Sequence, residues 1–415
     1  MKPNSSQRSP ERVPRRVGLW LVGGRGAIST CVAYGLSGLT RGLLEPVGLV
    51  TARGPLAALD LLSPEAFVLG GHDVCVRGLS RGAAELVKNG VLGAELVESG
   101  ADDAAAYEAR LRPGLLDGPD VGMADLDPRS AELGAAPPRE QIAALVRDLK
   151  NFAASEQLDH TVVVNLASTE AGHAPQAEWQ ELAMFEEALD RGQAQPASVL
   201  YAYAAFQAGC SFVNFTPSHG ASSPALRAYA KQEGLPHCGS DGKTGETLVK
   251  TVLAPLFRDR ALKVLSWQGY NMLGNRDGEV LRSETHKQAK LDNKDEALRS
   301  ILGESDMHSH VGIDFVPSLT DWKTAWDFIH FEGFLGARMS LQFTWAGSDS
   351  ALAAPLVIDL ARLAEFAARQ GETGVMEHTA SFFKAPLAAA PETGTAEHDF
   401  HRQMDALLRY AARYG

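Results

Sequence analysis

The chain has 415 residues, of which 45% are hydrophobic and 22% charged, as in folded globular proteins long enough to form two domains with apolar cores. The formal net charge of −12 argues against a nucleic-acid-binding protein, but a few local lysines can still make a pocket for a small anion. The four cysteines show no Cys-x-x-Cys spacing, which argues against a zinc site or a disulfide framework and fits a reducing cytoplasm, and no apolar run approaches the ~20 residues of a membrane span.

The amino-terminal region predicts a tail followed by a dinucleotide-binding unit. Residues 1–16 are polar and proline-containing, and we expect them to be disordered. The segment "VGLWLVGGRGAISTCVAYGL" then has an apolar strand, a glycine turn and a helix of small residues. The turn supplies the candidate cofactor-binding residues Gly23, Gly24, Arg25, Gly26, Ala27 and Ile28.

The next apolar segment, residues 46–50, is predicted to be the second strand. It leads to Thr51 and Arg53 rather than to the acidic residue that usually binds a ribose hydroxyl. The local sequence therefore does not distinguish NAD from NADP. Asp73 is the next acid after a strand pattern and a candidate for this role, with helix capping as the alternative.

The rest of the chain continues the α/β pattern. After a Pro/Gly-rich connection at residues 112–139, the segments "EQIAALVRDLKNFAA", "TVVVNLAST", "SFVNFTP" and "SPALRAYAKQEG" alternate helices with buried strands, as in a parallel sheet covered on both faces. The strands "ALKVLSWQGYN" and "ARMSLQFTWAG" then flank a lysine-rich region. The predicted fold is a Rossmann-type domain of residues 17–238 and 349–415, with an inserted α+β domain of residues 239–348.

A glycine-rich loop, "CGSDGKTGETLVKTVL", opens the inserted region at residues 238–253. A Walker A motif requires a glycine five positions before the Gly-Lys pair, and His237 occupies that position, so the loop is not an ATP site. Another anion could still bind at the amino terminus of the following helix. The alternative is an ordinary helix start that is capped by Thr244.

Four segments, in their order and spacing, resemble the myo-inositol-1-phosphate synthase family: "GSDGKTGETLVKTVL", "YNMLGNRDG", "DSALAAPLVIDL" and "FFKAPL". The similarity extends to "VVVNLASTEA" and the first glycine turn. The resemblance implies NAD-dependent, redox-neutral cyclisation of D-glucose 6-phosphate to 1D-myo-inositol 3-phosphate, by oxidation at C5, enolisation, intramolecular aldol addition and reduction. It also implies a cytoplasmic homo-oligomer, a tetramer formed through the inserted catalytic domain, with no nucleic-acid or membrane partner.

The resemblance assigns roles to individual residues. The catalytic set is Lys290, Lys294, Lys384 and Asp277; the substrate-binding set is Lys243, Thr244, Gly245, Asn271 and Asn275. Beyond the glycine turn, cofactor binding is assigned to Asp73, Ser168, Thr169, Asp241 and Asp349. A divalent or monovalent cation is expected at Asp241, Asp349 and Ser350, and Asp349 would also suit a helix cap.

Two departures from the family pattern leave alternatives open. Glu246 replaces a common glutamine, and because a carboxylate beside a phosphate is unfavourable unless it points away, we leave it out of the site. Alignment on Asp321 and Lys323 places Asp314 where many members have another active-site lysine, a role that Lys323 could take. A cyclase for another phosphosugar, a non-catalytic NAD-binding paralogue and a simple dehydrogenase are the alternatives.

Overall fold

The computed structural model describes residues 15–116, 125–170, 174–274, 298–303, 307–389 and 396–415. The described chain begins two residues before the predicted end of the tail. Arg16 donates its backbone N–H to Asp159 (2.9 Å), and Arg15 forms an ion pair with Glu365 at 3.1 Å. The predicted tail of residues 1–16 is therefore wrong for its last two residues, which long-range contacts hold in place. Within the described ranges, no helix is long and apolar enough to cross a membrane.

The first of the two sheets is parallel, as predicted, and has seven strands. Its strands are β1 (Val17–Val22), β2 (Phe67–Asp73), β3 (Leu111–Pro113), β4 (His160–Asn165), β5 (Ser211–Asn214), β6 (Pro236–Gly239) and β11 (Gly374–Val375). They lie in the order β11-β6-β5-β4-β1-β2-β3. The chain reverses its direction of winding between β1 and β4, and ligands of such sheets bind outside the carboxyl ends of the strands at this point.

Helices cover both faces of this sheet. In the described parts of the chain, the helices include α1 (Ala27–Thr40), α2 (Leu79–Lys88), α3 (Ala94–Ser99), α4 (Ala101–Ala109), α5 (Pro128–Ala135), α6 (Pro138–Glu156), α7 (Leu182–Asp190), α8 (Ala197–Gln207), α9 (Pro224–Gln232), α10 (Glu246–Asp259), α11 (Asp349–Arg369) and α12 (Phe400–Ala411). Of these, α10 packs elsewhere, because its Phe257 shares a separate core with Trp267 and Ile329. Leu19 of β1 belongs to the core with α1 and α11, and its neighbour Trp20 belongs to the core with α6 and α8. Successive side chains of a strand point to opposite faces, which is why these strands are apolar throughout.

The second sheet has four strands and contains the two that were predicted for the inserted domain. They are β7 (Lys263–Leu273), β8 (His308–Phe315), β9 (Trp322–Glu332) and β10 (Arg338–Ser348), in the order β10-β9-β7-β8. Strands β10, β9 and β7 pair antiparallel, whereas β7 and β8 are parallel. The fold is thus the predicted α/β class with an inserted α+β unit; the exact domain boundaries stay predictions.

The predicted strand at residues 46–50 is wrong. Val47 is 75% exposed, and Gly48 has a φ of +89°, so this segment turns at the surface. The position beside β1 belongs instead to β2, the strand pattern "FVLGGHD" that ends at Asp73. A Cβ on Gly70 would lie 2.8 Å from the ring of Trp20, so tertiary packing requires a glycine there.

Candidate active site

The glycine turn after β1 has the form of a dinucleotide cradle. The N–H groups of Gly23 and Gly24 both donate to the carbonyl of His72 at 2.9 Å, and Gly23 has a φ of +85°. A Cβ on Gly24 would approach the Leu111 side chain to 2.6 Å. Gly26 is the N-cap of α1 and has no side chain to cap the first N–H groups. Those groups and the helix dipole therefore suit the pyrophosphate of a dinucleotide, which Ala27 and Ile28 would also adjoin.

Asp73 lies at the carboxyl end of β2, beside this turn. Its carboxylate accepts hydrogen bonds from the backbone N–H of Arg25 (2.7 Å) and of Cys75 (2.8 Å). Burial raises the pKa of Asp73, and those hydrogen bonds oppose the shift. The Arg25 side chain turns away to pair with Glu108. A carboxylate at this position suits a ribose hydroxyl and repels a 2′-phosphate, which favours NAD over NADP.

The loop after β4 borders the same turn from the other side. Ser168 is exposed and Thr169 is half-buried. A Cβ on Gly23 would lie 3.0 Å from the carbonyl oxygen of Leu166, so the two loops are in close contact. Because β1 lies between β2 and β4, the predicted cofactor-binding residues of all three loops gather at one edge of the sheet.

The loop after β6 and the segment "FFKAPL" form one unit, although more than a hundred residues separate them in sequence. Lys384 donates its N–H to the carbonyl of Asp241 (2.7 Å), and Lys243 donates to the carbonyl of Phe382 (2.8 Å). A Cβ on Gly242 would lie 2.2 Å from the ring of Phe215, so this close approach requires glycine. The pairing brings the side chain of Lys384 to that of Asp241.

Lys384 and Asp241 form a mostly buried ion pair. The Lys384 ammonium lies 2.8 Å from Asp241 Oδ1, and the two side chains are 14% and 6% exposed. Burial alone would lower the pKa of Lys384, but Asp241, with Asp349 and Glu246, outweighs it and holds the pKa above its ordinary value. Lys384 is therefore charged at neutral pH.

Asp349 brings a second lysine to this place. The hydroxyl of Thr244 donates to Asp349 Oδ1 at 3.1 Å, and the ammonium of Lys323 lies 3.7 Å from Asp349 Oδ2. Asp314, in contrast, is exposed on β8. The structure thus places Lys323, and not Asp314, in the group of charged residues around Lys384.

Of the three capping alternatives, those at Thr244 and Asp349 are wrong. Ser348 caps α11 by accepting from the N–H of Ala351 at 3.1 Å, whereas Asp349 is the first helical residue. Gly245 is the N-cap of α10, and the Thr244 hydroxyl is bonded to Asp349 instead. The two side chains are therefore hydrogen-bonded to each other and cap neither helix.

Lys243 points away from the exposed side of the loop. Its ammonium donates to Gln403 Oε1 of α12 at 2.6 Å and lies 5.4 Å from the centre of the Phe400 ring. Burial lowers the pKa of Lys243 to about 7, and Asp399 opposes the shift. The side chain is thus buried between the loop and α12, and its predicted role in substrate binding stays a prediction.

Buried polar atoms without hydrogen-bond partners occur in the first turn of α10 and on β7. Thr247 Oγ1 and both side-chain polar atoms of Asn271 are buried and, within the described part of the chain, have no hydrogen-bond partner. Such groups are costly unless a ligand satisfies them. Asn271 was predicted from the resemblance; Thr247 was missed, although its position in the first turn after Gly245 was a usable signal.

Four predicted residues, Asn275, Asp277, Lys290 and Lys294, lie in residues 275–297, outside the described residues. The predicted cation site has no support among the described residues, where no group of three His, Cys, Asp or Glu side chains could hold a metal. Asp241 and Asp349 pair with lysines instead, and the Ser350 hydroxyl donates to Asp321 at 2.8 Å.

Comparison with known proteins identifies the family and the fold. The family model for myo-inositol-1-phosphate synthase matches residues 17–411. The chain is 30% identical over 411 residues to inositol-3-phosphate synthase 1 of Bacteroides thetaiotaomicron, covering 94% of this chain and 91% of that protein. It is 28% identical to isozyme 1 of Arabidopsis thaliana, over 75% of this chain and 61% of that protein. The fold matches crystalline inositol-3-phosphate synthase from Caenorhabditis elegans with a TM-score of 0.83, at 21% identity, over 96% of this chain and 86% of that one.

Proposed function

Because the chain belongs to the myo-inositol-1-phosphate synthase family, we propose that it cyclises D-glucose 6-phosphate to 1D-myo-inositol 3-phosphate with NAD and without net oxidation. The observation that carries this proposal is the group formed by Lys384, Asp241, Thr244, Asp349 and Lys323 at the edge of the dinucleotide-binding sheet. NAD, when bound, would accept a hydride from the sugar and return it. The remaining requirements are a phosphate anchor and cations where oxyanions develop, and this chain's residues can supply them.

The phosphate anchor is the amino terminus of α10. Gly245 has no side chain that could cap the first N–H groups, and the buried hydroxyl of Thr247 in the first turn has unused hydrogen-bonding capacity within the described structure. The buried amide of Asn271 has the same unused capacity and lies on β7, two residues after Gly269, which packs against Glu246. Thr244 is held at the same place by Asp349. A phosphate would satisfy these groups, and the positive end of the helix dipole would favour its charge.

Lys384 is the cation best placed to act on the sugar. Its ammonium is held by Asp241 and retains its proton at neutral pH, so it can donate a hydrogen bond to a developing oxyanion in a largely desolvated place. Lys323 would supply a second positive charge from β9, in the role that Asp314 cannot fill. We propose that Lys290, Lys294, Asp277 and Asn275 complete the site, on the strength of the family pattern alone.

We further propose that the protein assembles as a homo-oligomer, a tetramer, through the open face of the four-stranded sheet. Tyr270 and Trp326 stack there at 6.2 Å between ring centres and are 41% and 37% exposed. Phe328 and His330 extend the row of rings. A second copy would remove this aromatic surface from water.

We also propose that the protein is located in a reducing cytoplasm, since its four cysteines are free thiols.

The test of the function is to incubate the protein with NAD and glucose 6-phosphate, follow absorbance at 340 nm and identify the product by ³¹P and ¹H NMR. We expect an inositol phosphate to accumulate while NADH stays far below the amount of product. NADH formed in proportion to product would show a dehydrogenase instead. No product with glucose 6-phosphate, but an inositol-like product with another phosphosugar, would change the substrate and keep the mechanism.

A further inference from the structure

A buried group of three charged side chains lies directly behind the anion-binding end of α10. Glu246 occupies the first turn of the helix and Lys250 the next. The Lys250 ammonium is 2.7 Å from Glu246 Oε1 and 3.3 Å from Asp327 Oδ1 of β9. The side chains of Glu246, Lys250 and Asp327 are 0%, 4% and 0% exposed. We call these three residues the ionic triad.

The surrounding structure is shaped to hold the ionic triad. Trp267 of β7 donates its indole N–H to Asp327 Oδ1 at 2.7 Å. A Cβ on Gly269 of β7 would lie 2.6 Å from Glu246 Oε1, 2.8 Å from Lys250 Nζ and 3.0 Å from Asp327 Oδ1. Only a glycine therefore lets the triad pack against this strand. The triad joins α10 to the inner strands of the second sheet.

We propose that Glu246 is a positioning residue. Its pairing within the ionic triad holds its carboxylate away from a bound phosphate, and the same pairing fixes the amino terminus of α10 to β7 and β9. The inference rests on the proposed function only in taking the start of α10 as the phosphate site. It explains how a carboxylate can replace the family's common glutamine beside an anion: the Lys250 ammonium neutralises it, and the side chain turns into the protein.

The triad also acts on the neighbouring site through its charge. The charged groups in contact here are Glu246 and Lys250 of α10 and Asp327 of β9, and β7 contributes the neutral Trp267. Burial opposes the charged form of Lys250, but the two carboxylates outweigh it and raise its pKa. Burial also raises the pKa of Asp327 to about 6. Beyond the triad, the charge of Glu246 also contributes, after Asp241 and Asp349, to the raised pKa of Lys384.

The test replaces Glu246 with glutamine, which keeps the size of the side chain and removes its charge. Asp259→Asn is the matched control, because it removes a carboxylate from the exposed far end of the same helix. ¹³C NMR of the full-length protein with ¹³Cε-labelled lysine, with Lys384 assigned from Lys384→Met, measures the pKa of the Lys384 amine. We expect Glu246→Gln to lower this pKa by about one pH unit, the scale for removal of one nearby charge at an effective dielectric of about 20, and Asp259→Asn to leave it unchanged.

Calorimetric measurement of inorganic phosphate binding tests whether the Glu246 carboxylate points away from the phosphate site. Because the triad turns Glu246 away, Glu246→Gln should change the phosphate Kd by less than about threefold. Lys250→Met should weaken phosphate binding by about tenfold or more, since it leaves two buried carboxylates without their cation, and adding Glu246→Gln to it should recover part of the loss.

Three results would overturn the proposal: an unchanged Lys384 pKa in Glu246→Gln, phosphate binding at least about tenfold tighter in Glu246→Gln, or no recovery in the double variant. The NMR measurement requires neither turnover nor phosphate. If wild-type protein neither binds phosphate nor converts glucose 6-phosphate, the proposed function fails, and the Lys384 titration still decides the role of the triad.

Discussion

Replacing Lys384 with methionine separates its chemical role from its structural one. Methionine keeps most of the stem volume and removes the ammonium, which lies 2.8 Å from Asp241 Oδ1. Asp241, only 6% exposed at its side chain, would then lose its cationic partner. Breaking one side of a buried ion pair costs about 3 kcal/mol of unfolding free energy. Turnover should fall by about 10²-fold or more, since a group that stabilises a developing oxyanion is lost.

The double variant Lys384→Met/Asp241→Asn is the control. It removes the unpaired carboxylate, so we expect it to recover most of the lost unfolding free energy, measured by urea denaturation, and none of the lost turnover, measured by ³¹P NMR of the product. Turnover within about tenfold of wild type in Lys384→Met would refute a direct role for the ammonium. Full recovery of turnover in the double variant would show that the unpaired Asp241 had caused the loss.

Three further predictions concern residues whose contacts only the structure shows. Lys323→Met should reduce turnover by about 10²-fold with little change in NAD affinity, whereas Asp314→Asn, at an exposed position, should stay within about twofold of wild type in the same assay. Asp73→Asn should weaken NAD binding by about tenfold and narrow the preference for NAD over NADP, measured calorimetrically with both cofactors; an unchanged ratio would exclude Asp73 from the ribose site. Lys243 has its pKa lowered from 10.5 to about 7 by burial, so between those pH values the unfolded chain binds more protons than the folded one. The free energy of unfolding should therefore rise with pH from about 7 towards 9 in wild type, and this rise should be smaller in Lys243→Met; equal slopes would contradict the buried position of the amine.

Local patterns were sufficient for much of the fold. The apolar run before Gly23 and Gly24, the small-residue helix after them and the buried strand β4 all depend on neighbours in sequence, and each was predicted. The segment at residues 46–50 was apolar too, but it was too short to distinguish a strand from a surface turn. The true second strand, β2, ends at Asp73 and carries two glycines, Gly70 packed on the Trp20 ring and Gly71 on the Leu21 carbonyl, and no local window contains these contacts.

The sequence by itself determined the α/β class, the glycine cradle and the family resemblance that identified Lys384 as a catalytic candidate. Each of these features depends on residues that are close together in sequence. Tertiary structure alone decided that Lys323 rather than Asp314 pairs with Asp349, that Lys243 is buried and that Glu246 pairs with Lys250. Lys243 meets Gln403 across 160 residues, and Lys384 meets Asp241 across 143. A side chain's charge, partner and direction depend on what packs against it, and for these residues the partners come from distant parts of the chain.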